Sequence, residues 1–305
     1  MVKKRKAIVI GSGVAGITSA IFLADGGYSV DVFEKNSSPG GRCSQLIKEG
    51  HRFDLGATML LMPGIYRSVF KSLGLEFEES LPVKPLQDLY KIYFDDGQVL
   101  SFTTDKGRME KQLEETESGS FIKSLDYVKK GYEIFRLSME KLIARNFYNI
   151  CQFITPANIP LLIKIKAFTS HFSYARRFFR HPHLLMAYTF QNIYVGQSPF
   201  DSPALFSMVP AAELTEGSFF PVKGGMFAIV EKLKETAEKK GVRFYFGSPV
   251  MKIITNERRA EGIILNDNSI HKADIIVANA DLPYVYRELL PDRKASLKID
   301  RKKYS

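Results

Sequence analysis

The chain has 305 residues, 45% hydrophobic and 25% charged, which suits one large folded domain or two of medium size. Two cysteines, Cys43 and Cys151, exclude a disulfide framework and a cysteine-built metal centre, and suit the reduced thiols of a cytoplasmic protein. No apolar run reaches the roughly 18 residues of a membrane-spanning helix, while the net charge of +10 points toward an anionic partner or surface.

Lys6 to Ile10 ends in an apolar run suited to a buried parallel strand. Gly11, Gly13 and Gly16 follow at the G-x-G-x-x-G spacing, with Ser12, Val14 and Ala15 between them. Gly11 permits a tight turn, Gly13 lets the backbone approach a pyrophosphate, and Gly16 lets the next helix pack close to the sheet. Val14 to Asp25 carries Ile17, Ala20, Ile21 and Ala24 at helical spacing. The first N–H groups of that helix and its dipole favour an anion. Gly26-Gly27 ends the helix, and Ser29 to Phe33 forms a second strand closed by Glu34 and Lys35. An acidic residue about 20 positions beyond the glycines accepts hydrogen bonds from a ribose diol. A second glycine pair, Gly40-Gly41, precedes Arg42. Together these residues specify a dinucleotide-binding strand–turn–helix–strand unit.

Pro63 to Leu73 reads as a helix. Leu89–Phe94 and Val99–Phe102, joined through Asp95-Asp96-Gly97, read as a hairpin. Asp105–Glu115 and Ser120–Leu142 have polar starts and apolar residues three or four apart, so both are helices. From Phe147 to Met208 the pattern is helical pieces broken by Pro156, Pro160, Pro182, Pro199 and Pro203. A helix then runs to Lys240, capped by Gly241, and Val242–Phe246 is a strand. Val250–Thr255 and Glu261–Leu265, with the Asn266-Asp267-Asn268 turn, suggest a small antiparallel layer. Ala273–Ala280 is a late strand and turn, and Leu282–Leu290 a final helix.

The spacing from Gly11 to Arg42 resembles the FAD-binding signature of the flavin amine oxidase and phytoene desaturase superfamily. The stretch Gly50-His51-Arg52-Phe53-Asp54-Leu55-Gly56-Ala57-Thr58 is similar to a segment of bacterial-type carotenoid desaturases, with Ala57 where that family more often has proline. The resemblance extends to Phe220–Met226, to Ser248-Pro249-Val250 and to Ala273–Ala280. It implies an α/β fold: a Rossmann-like FAD-binding domain over residues 1–80 and 219–305, interrupted by an α+β substrate domain over 81–218. It implies FAD held by Gly11, Ser12, Gly13, Val14, Ala15, Gly16, Glu34, Lys35, Gly40, Gly41, Arg42 and the backbone of Val250. It implies desaturation of a lipid-dissolved isoprenoid such as phytoene by hydride transfer to the flavin, the electron acceptor left open. A flavin amine oxidase, a carotenoid isomerase and an inactive flavoprotein are the alternatives. Family members add a further glycine-rich closing segment. The chain's stop at Lys302-Lys303-Tyr304-Ser305 is therefore read as a shortened C-terminal end, or as a different closure.

Between Phe121 and Arg180 eleven basic residues face only Asp126, Glu133 and Glu140, and no acidic residue occurs from Lys141 to Phe200. The same region is rich in Phe, Tyr, Ile and Leu, including Phe147-Tyr148 and Phe178-Phe179. A solvated helical face and a face docked on an anionic membrane are the two readings; the second suits a peripheral protein whose substrate is dissolved in lipid. Nucleic acid is not expected, because no binding motif accompanies the charge. No Ser-His-Asp series and no Cys/His metal cluster is read from the sequence; His171, His181 and His183 are read as surface or packing residues, and Asp54 as a structural hydrogen-bonding residue. No catalytic residue is assigned.

Overall fold

A computed structural model describes residues 4–290 apart from 144, 146, 148, 149 and 258. Tyr148 and the closing Lys302–Ser305 run lie outside the described residues. The described chain divides into two compact units, one holding residues 4–60, 64–84 and 220–290, the other 61–63 and 85–219.

The first unit is built on a four-stranded parallel sheet. Strand β1 (Lys6–Ile10) is flanked by β2 (Ser29–Phe33) and by Ile275–Ala278, and Arg243–Tyr245 extends the sheet beyond β2. Parallel strands buried on both faces read as continuous apolar runs rather than alternating ones. Ala7, Ile8, Val9 and Ile10 are accordingly all buried. Helix α1 (Val14–Asp25) buries Gly16, Ile17, Ala20 and Ile21, one stripe at helical spacing. It packs against the helix Ala228–Lys239, which buries Ile229, Val230, Leu233 and Ala237. Gly241, with φ of +83°, ends that helix: its N–H reaches Glu238 O, and the Val242 N–H reaches Ala237 O.

Ile8, Ile10 and Phe33 join a second apolar cluster with Val250, Ile253, Ile263, Leu265, Val285 and Leu289. This layer is the antiparallel sheet Val250–Asn256, Arg259–Leu265 and Ile270–Lys272. The Gly50–Thr58 segment contains one strand of a further hairpin, Gln45–Lys48 paired with His51–Asp54. The final helix begins with Leu282–Tyr284, and its last turn, Val285–Leu289, is a wider π-turn instead of the regular α-helix the spacing suggests.

The second unit holds the hairpin Asp88–Tyr93/Val99–Thr103 and the helices Lys106–Thr116 and Ser120–Ser138. Asp105 caps the first of these helices, its carboxylate accepting from Arg108 N at 3.1 Å. Tyr127, fully buried, stands among Phe178, Phe179, Tyr174 and Tyr188 at the centre of the core. Gly131 is placed where a Cβ would lie 2.7 Å from Ser207 O and 2.6 Å from the Ala211 Cβ, so the helices Ser120–Ser138 and Met208–Glu216 cross at close range. The prolines of this region act differently from expectation. Pro160 and Pro182 sit at the first positions of the helices Ile159–Lys164 and Pro182–Ala187, where a missing N–H costs nothing, so they start helices rather than break them.

Candidate functional site

The glycine turn leaves β1 at Ile10 and enters α1 at Val14. Gly11 adopts φ of +94°, and a Cβ there would lie 2.7 Å from the Asn279 carbonyl oxygen. Its N–H bonds Phe33 O at 2.8 Å, tying the turn to β2. Gly13 is the N-cap of α1, and the first turn of that helix carries neither a side-chain cap nor an acidic residue. Its leading N–H groups are thus presented to an anion without a competing carboxylate. Gly16 is pressed so close to the preceding turn that a Cβ would lie 2.2 Å from Gly11 O.

The second glycine pair folds onto this turn. Gly40 N donates to Ser12 O at 2.9 Å, and Gly13 and Gly40 form a bridge. Gly41 is exposed beside Gly13, where a Cβ would touch the Gly13 Cα at 3.4 Å. Arg42 is highly exposed and paired with Asp281. Gly11, Ser12, Gly13, Gly16, Gly40, Gly41 and Arg42 are therefore brought together as a cradle. Val14 is half-buried at its edge, Ala15 is exposed, and so is Lys35.

Glu34 takes a position the sequence does not announce. It is 5% exposed, and its Oε2 accepts from both Ser12 N at 2.8 Å and Ser12 Oγ at 2.9 Å. Its Oε1 accepts from Asn36 N at 2.9 Å. The carboxylate clamps the glycine turn from below. It retains acceptor capacity, since an ionised carboxylate offers about four lone-pair sites and three are used. Ser248 N bonds Glu34 O at 2.8 Å, which brings the chain at Val250 back beside the end of β2. The Val250 side chain is buried in the second apolar cluster, so its backbone is what remains to meet a base.

Asp54 is structural, as its sequence context suggests. Its carboxylate accepts from Met226 N at 3.0 Å and Phe227 N at 3.4 Å and so holds the turn that leads into the helix Ala228–Lys239. Cys43 donates to Met226 O at 3.4 Å; burial and the nearby Asp54 charge push its thiol pKa up, which disfavours a reactive thiolate.

Several residues at these sites escape sequence reasoning. Asn279 is the chief one. Its side chain lies against Gly11, Gly13 and Gly16, and its N–H continues the β1 ladder by donating to Ile10 O at 2.8 Å. The only sequence signal is an Asn directly after an apolar strand. In the second unit, Glu213 is fully buried on the helix Met208–Glu216, and burial pushes its carboxyl up to about 7, with the Ser218 and Tyr90 hydroxyls pulling the other way. A Glu within the apolar stretch Ala211-Ala212-Glu213-Leu214 was the available clue. His171 is a packing residue, fully buried, with Nε2 2.6 Å from Tyr127 Oη and Nδ1 2.6 Å from Asn192 Oδ1. Burial lowers its pKa to about 4, against the Asn192 bond, which raises it.

The cradle fits FAD on this geometry. Bare glycine backbone and the uncapped end of α1 suit a diphosphate, Glu34 has a free acceptor site for a ribose hydroxyl, and the Val250 backbone stands beside them. The family profile described as flavin containing amine oxidoreductase matches residues 14–302. A zeta-carotene-forming phytoene desaturase of Myxococcus xanthus is 36% identical over 298 residues, covering 98% of this chain and 57% of that protein. A 4,4'-diapophytoene desaturase of Staphylococcus haemolyticus is 33% identical over 288 residues, covering 93% and 56%. The chain spans about half the length of the curated relatives it matches. A solved putrescine oxidase structure shares the fold, with a TM-score of 0.67 at 15% identity, covering 97% of this chain and 62% of that one. The profile match and these relatives place the chain in the flavin-containing amine oxidoreductase family, with FAD as its cofactor.

Proposed function

We propose that the chain takes part in FAD-dependent desaturation of a long apolar isoprenoid such as phytoene. The observation that carries this reading is identity of 33–36% to phytoene and diapophytoene desaturases across nearly all of the chain. FAD, when bound, would supply the acceptor for a hydride removed from one carbon of a saturated C–C bond, the proton leaving from the neighbouring carbon. The chain's own residues bind and orient. The α1 N-terminus and the Gly13 and Gly40-Gly41 backbone would hold the diphosphate, Glu34 would take a ribose hydroxyl, and Arg42 would add charge at the rim. The Ser12–Glu34 clamp keeps the turn in shape for this.

The substrate reaches such a site from lipid, so the second unit docks on an anionic membrane. Ile154, Ile159, Ile163 and Phe168 are exposed there, interleaved in sequence with Lys164 and followed by the exposed Arg176, Arg177 and Arg180. Each basic residue near an anionic surface contributes about 1 kcal/mol, and inserted apolar side chains add to it. No helix among the described residues is long and apolar enough to cross a membrane, so attachment would be peripheral.

The test is reconstitution with FAD and phytoene in anionic liposomes. New visible polyene absorption is expected, with the protein co-sedimenting at low salt and released at high salt. Peroxide formed from amines with no polyene would overturn the reading in favour of an amine oxidase. Failure to co-sediment would remove the membrane part alone.

A further inference from the structure

The turn of the hairpin Asp88–Tyr93/Val99–Thr103 meets the start of the helix Pro182–Ala187 at three potential ligands. One oxygen each from Asp95 and Asp96 and one ring nitrogen of His183 lie within 4.8 Å of one another. His183 is 9% exposed, whereas both aspartates are exposed. This group stands in the second unit and plays no part in the nucleotide cradle.

The hydrogen bonds fix which His183 nitrogen carries the proton. Thr116 Oγ1 donates its one proton to Gln112 O at 2.8 Å, so toward Gln98 it can only accept. Gln98 Nε2 therefore donates to Thr116 Oγ1 at 2.8 Å, and the other end of that amide, Oε1, faces His183 Nδ1 at 2.5 Å. An amide oxygen cannot donate, so Nδ1 is the N–H. The ring is held in place by stacking on Phe94, with centroids 3.8 Å apart and planes 9° from parallel. In the tautomer whose single proton sits on Nδ1, the ring turns an Nε2 lone pair toward the aspartates.

That lone pair faces an acceptor. Asp96 Oδ1 already accepts from Gln98 N at 3.0 Å, and its Oδ2 lies 3.5 Å from His183 Nε2. Two lone pairs aimed at each other repel unless a cation stands between them. A proton there would make a charge-assisted N–H···O bond, which favours about 2.7–2.9 Å. The observed 3.5 Å is longer. It fits two ligands of one metal ion, since bonds of about 2.1 Å at the tetrahedral angle set their ligand atoms roughly 3.4 Å apart. A ring nitrogen whose far N–H is held by a polar acceptor is also the usual arrangement behind a metal-binding histidine.

We propose that His183 Nε2, Asp96 Oδ2 and an Asp95 carboxylate oxygen form a binding site for a divalent transition-metal ion of the zinc class. Water completes the shell on the exposed side. The ion pins the hairpin turn to the helix that follows His181, a structural role separate from flavin chemistry.

The test uses the full chain without an affinity tag. Zn²⁺ is added, unbound metal is removed by gel filtration, and metal per chain is measured; Co²⁺ gives a visible ligand-field spectrum as a second readout. One equivalent is expected, with His51→Ala, at an exposed histidine elsewhere, unchanged. Asp95→Asn/Asp96→Asn, both at exposed turn positions that leave the core intact, should abolish uptake. Gln98→Leu should weaken it by about 10–100-fold, the usual effect of losing the group behind a ligating histidine. Absence of stoichiometric uptake, or uptake that survives the double aspartate variant, overturns the proposal and leaves a proton as the cation between His183 and Asp96.

Discussion

Glu213→Gln should make the protein more stable, and only on the neutral and alkaline side. Glu213 is fully buried, Ser218 Oγ reaches it only over a long 3.4 Å, and burial pushes its carboxyl from the ordinary 4.5 up to about 7. A folded pKa above the unfolded one means that the unfolded chain gives up this proton first. Stability is then full below pH 4.5, falls as pH rises toward 7, and levels off above it. A gap of this size is worth about 3 kcal/mol when fully expressed, at 1.36 kcal/mol per unit. Glutamine keeps the shape of the protonated acid and has nothing to ionise. The variant should match the parent within about 1 kcal/mol at pH 4.5 and exceed it by about 3 kcal/mol at pH 8. Because the chain has no Trp, urea unfolding is best followed by far-UV circular dichroism. Taking variant minus parent at each pH cancels every other titrating group. A difference that stays flat from pH 4.5 to 8 refutes the reasoning, and one that shrinks with rising pH reverses its sign.

His171 should act in the opposite sense. Its folded pKa, lowered to about 4 by burial, lies below the ordinary 6.5, so its contribution is full above pH 6.5 and is lost as pH falls through 4, again about 3 kcal/mol. In the parent this largely offsets Glu213 between pH 4.5 and 6.5; in Glu213→Gln it should emerge as a fall in stability on acidification, and a flat acid limb in urea unfolding would count against it. Gly16→Ala places a Cβ 2.2 Å from Gly11 O, a backbone atom that cannot step aside. It should cost about 1–3 kcal/mol in thermal unfolding and lower the flavin absorbance retained per chain. Arg42→Ala should separate the two effects: its pair with Asp281 is exposed on both sides, so stability should move by less than about 1 kcal/mol while FAD affinity measured by titration calorimetry falls.

The sequence was most legible where one residue type answers to one local requirement. Gly11, Gly13 and Gly16 are demanded by a turn, a close approach and a tight packing within six residues, and the helix and both strands follow from apolar spacing nearby. The antiparallel layer after Val250 and the hairpin at Leu89–Phe102 were legible for the same reason, since alternation and turn residues are local. What could not be read is what depends on partners far along the chain. Asn279 lies 268 positions from Gly11, and only the parallel pairing of Ile275–Ala278 with β1 brings it under the turn. Asp281 meets Arg42 by the same return of the chain. The burial of Glu213 and His171 is equally non-local, set by the packing of helices that proline spacing alone had marked only as broken segments.

Glu34 shows how a motif residue can carry a task that motif logic does not contain. The spacing assigns its carboxylate to a ribose, but the structure commits three of its acceptor sites to Ser12 and Asn36. Hydrogen bonds to a charged acceptor contribute about 1.5–3 kcal/mol each when buried, so the residue holds the glycine turn in its anion-binding shape whether or not a nucleotide is present. The turn is further fixed by Gly11 N on Phe33 O, by Gly40 N on Ser12 O and by Asn279 beneath it. These contacts come from β2, from the second glycine pair and from the last strand of the sheet. On the proposed function, a diphosphate would meet a turn already held by these contacts, and the ordering cost that would otherwise reduce affinity would be met in folding.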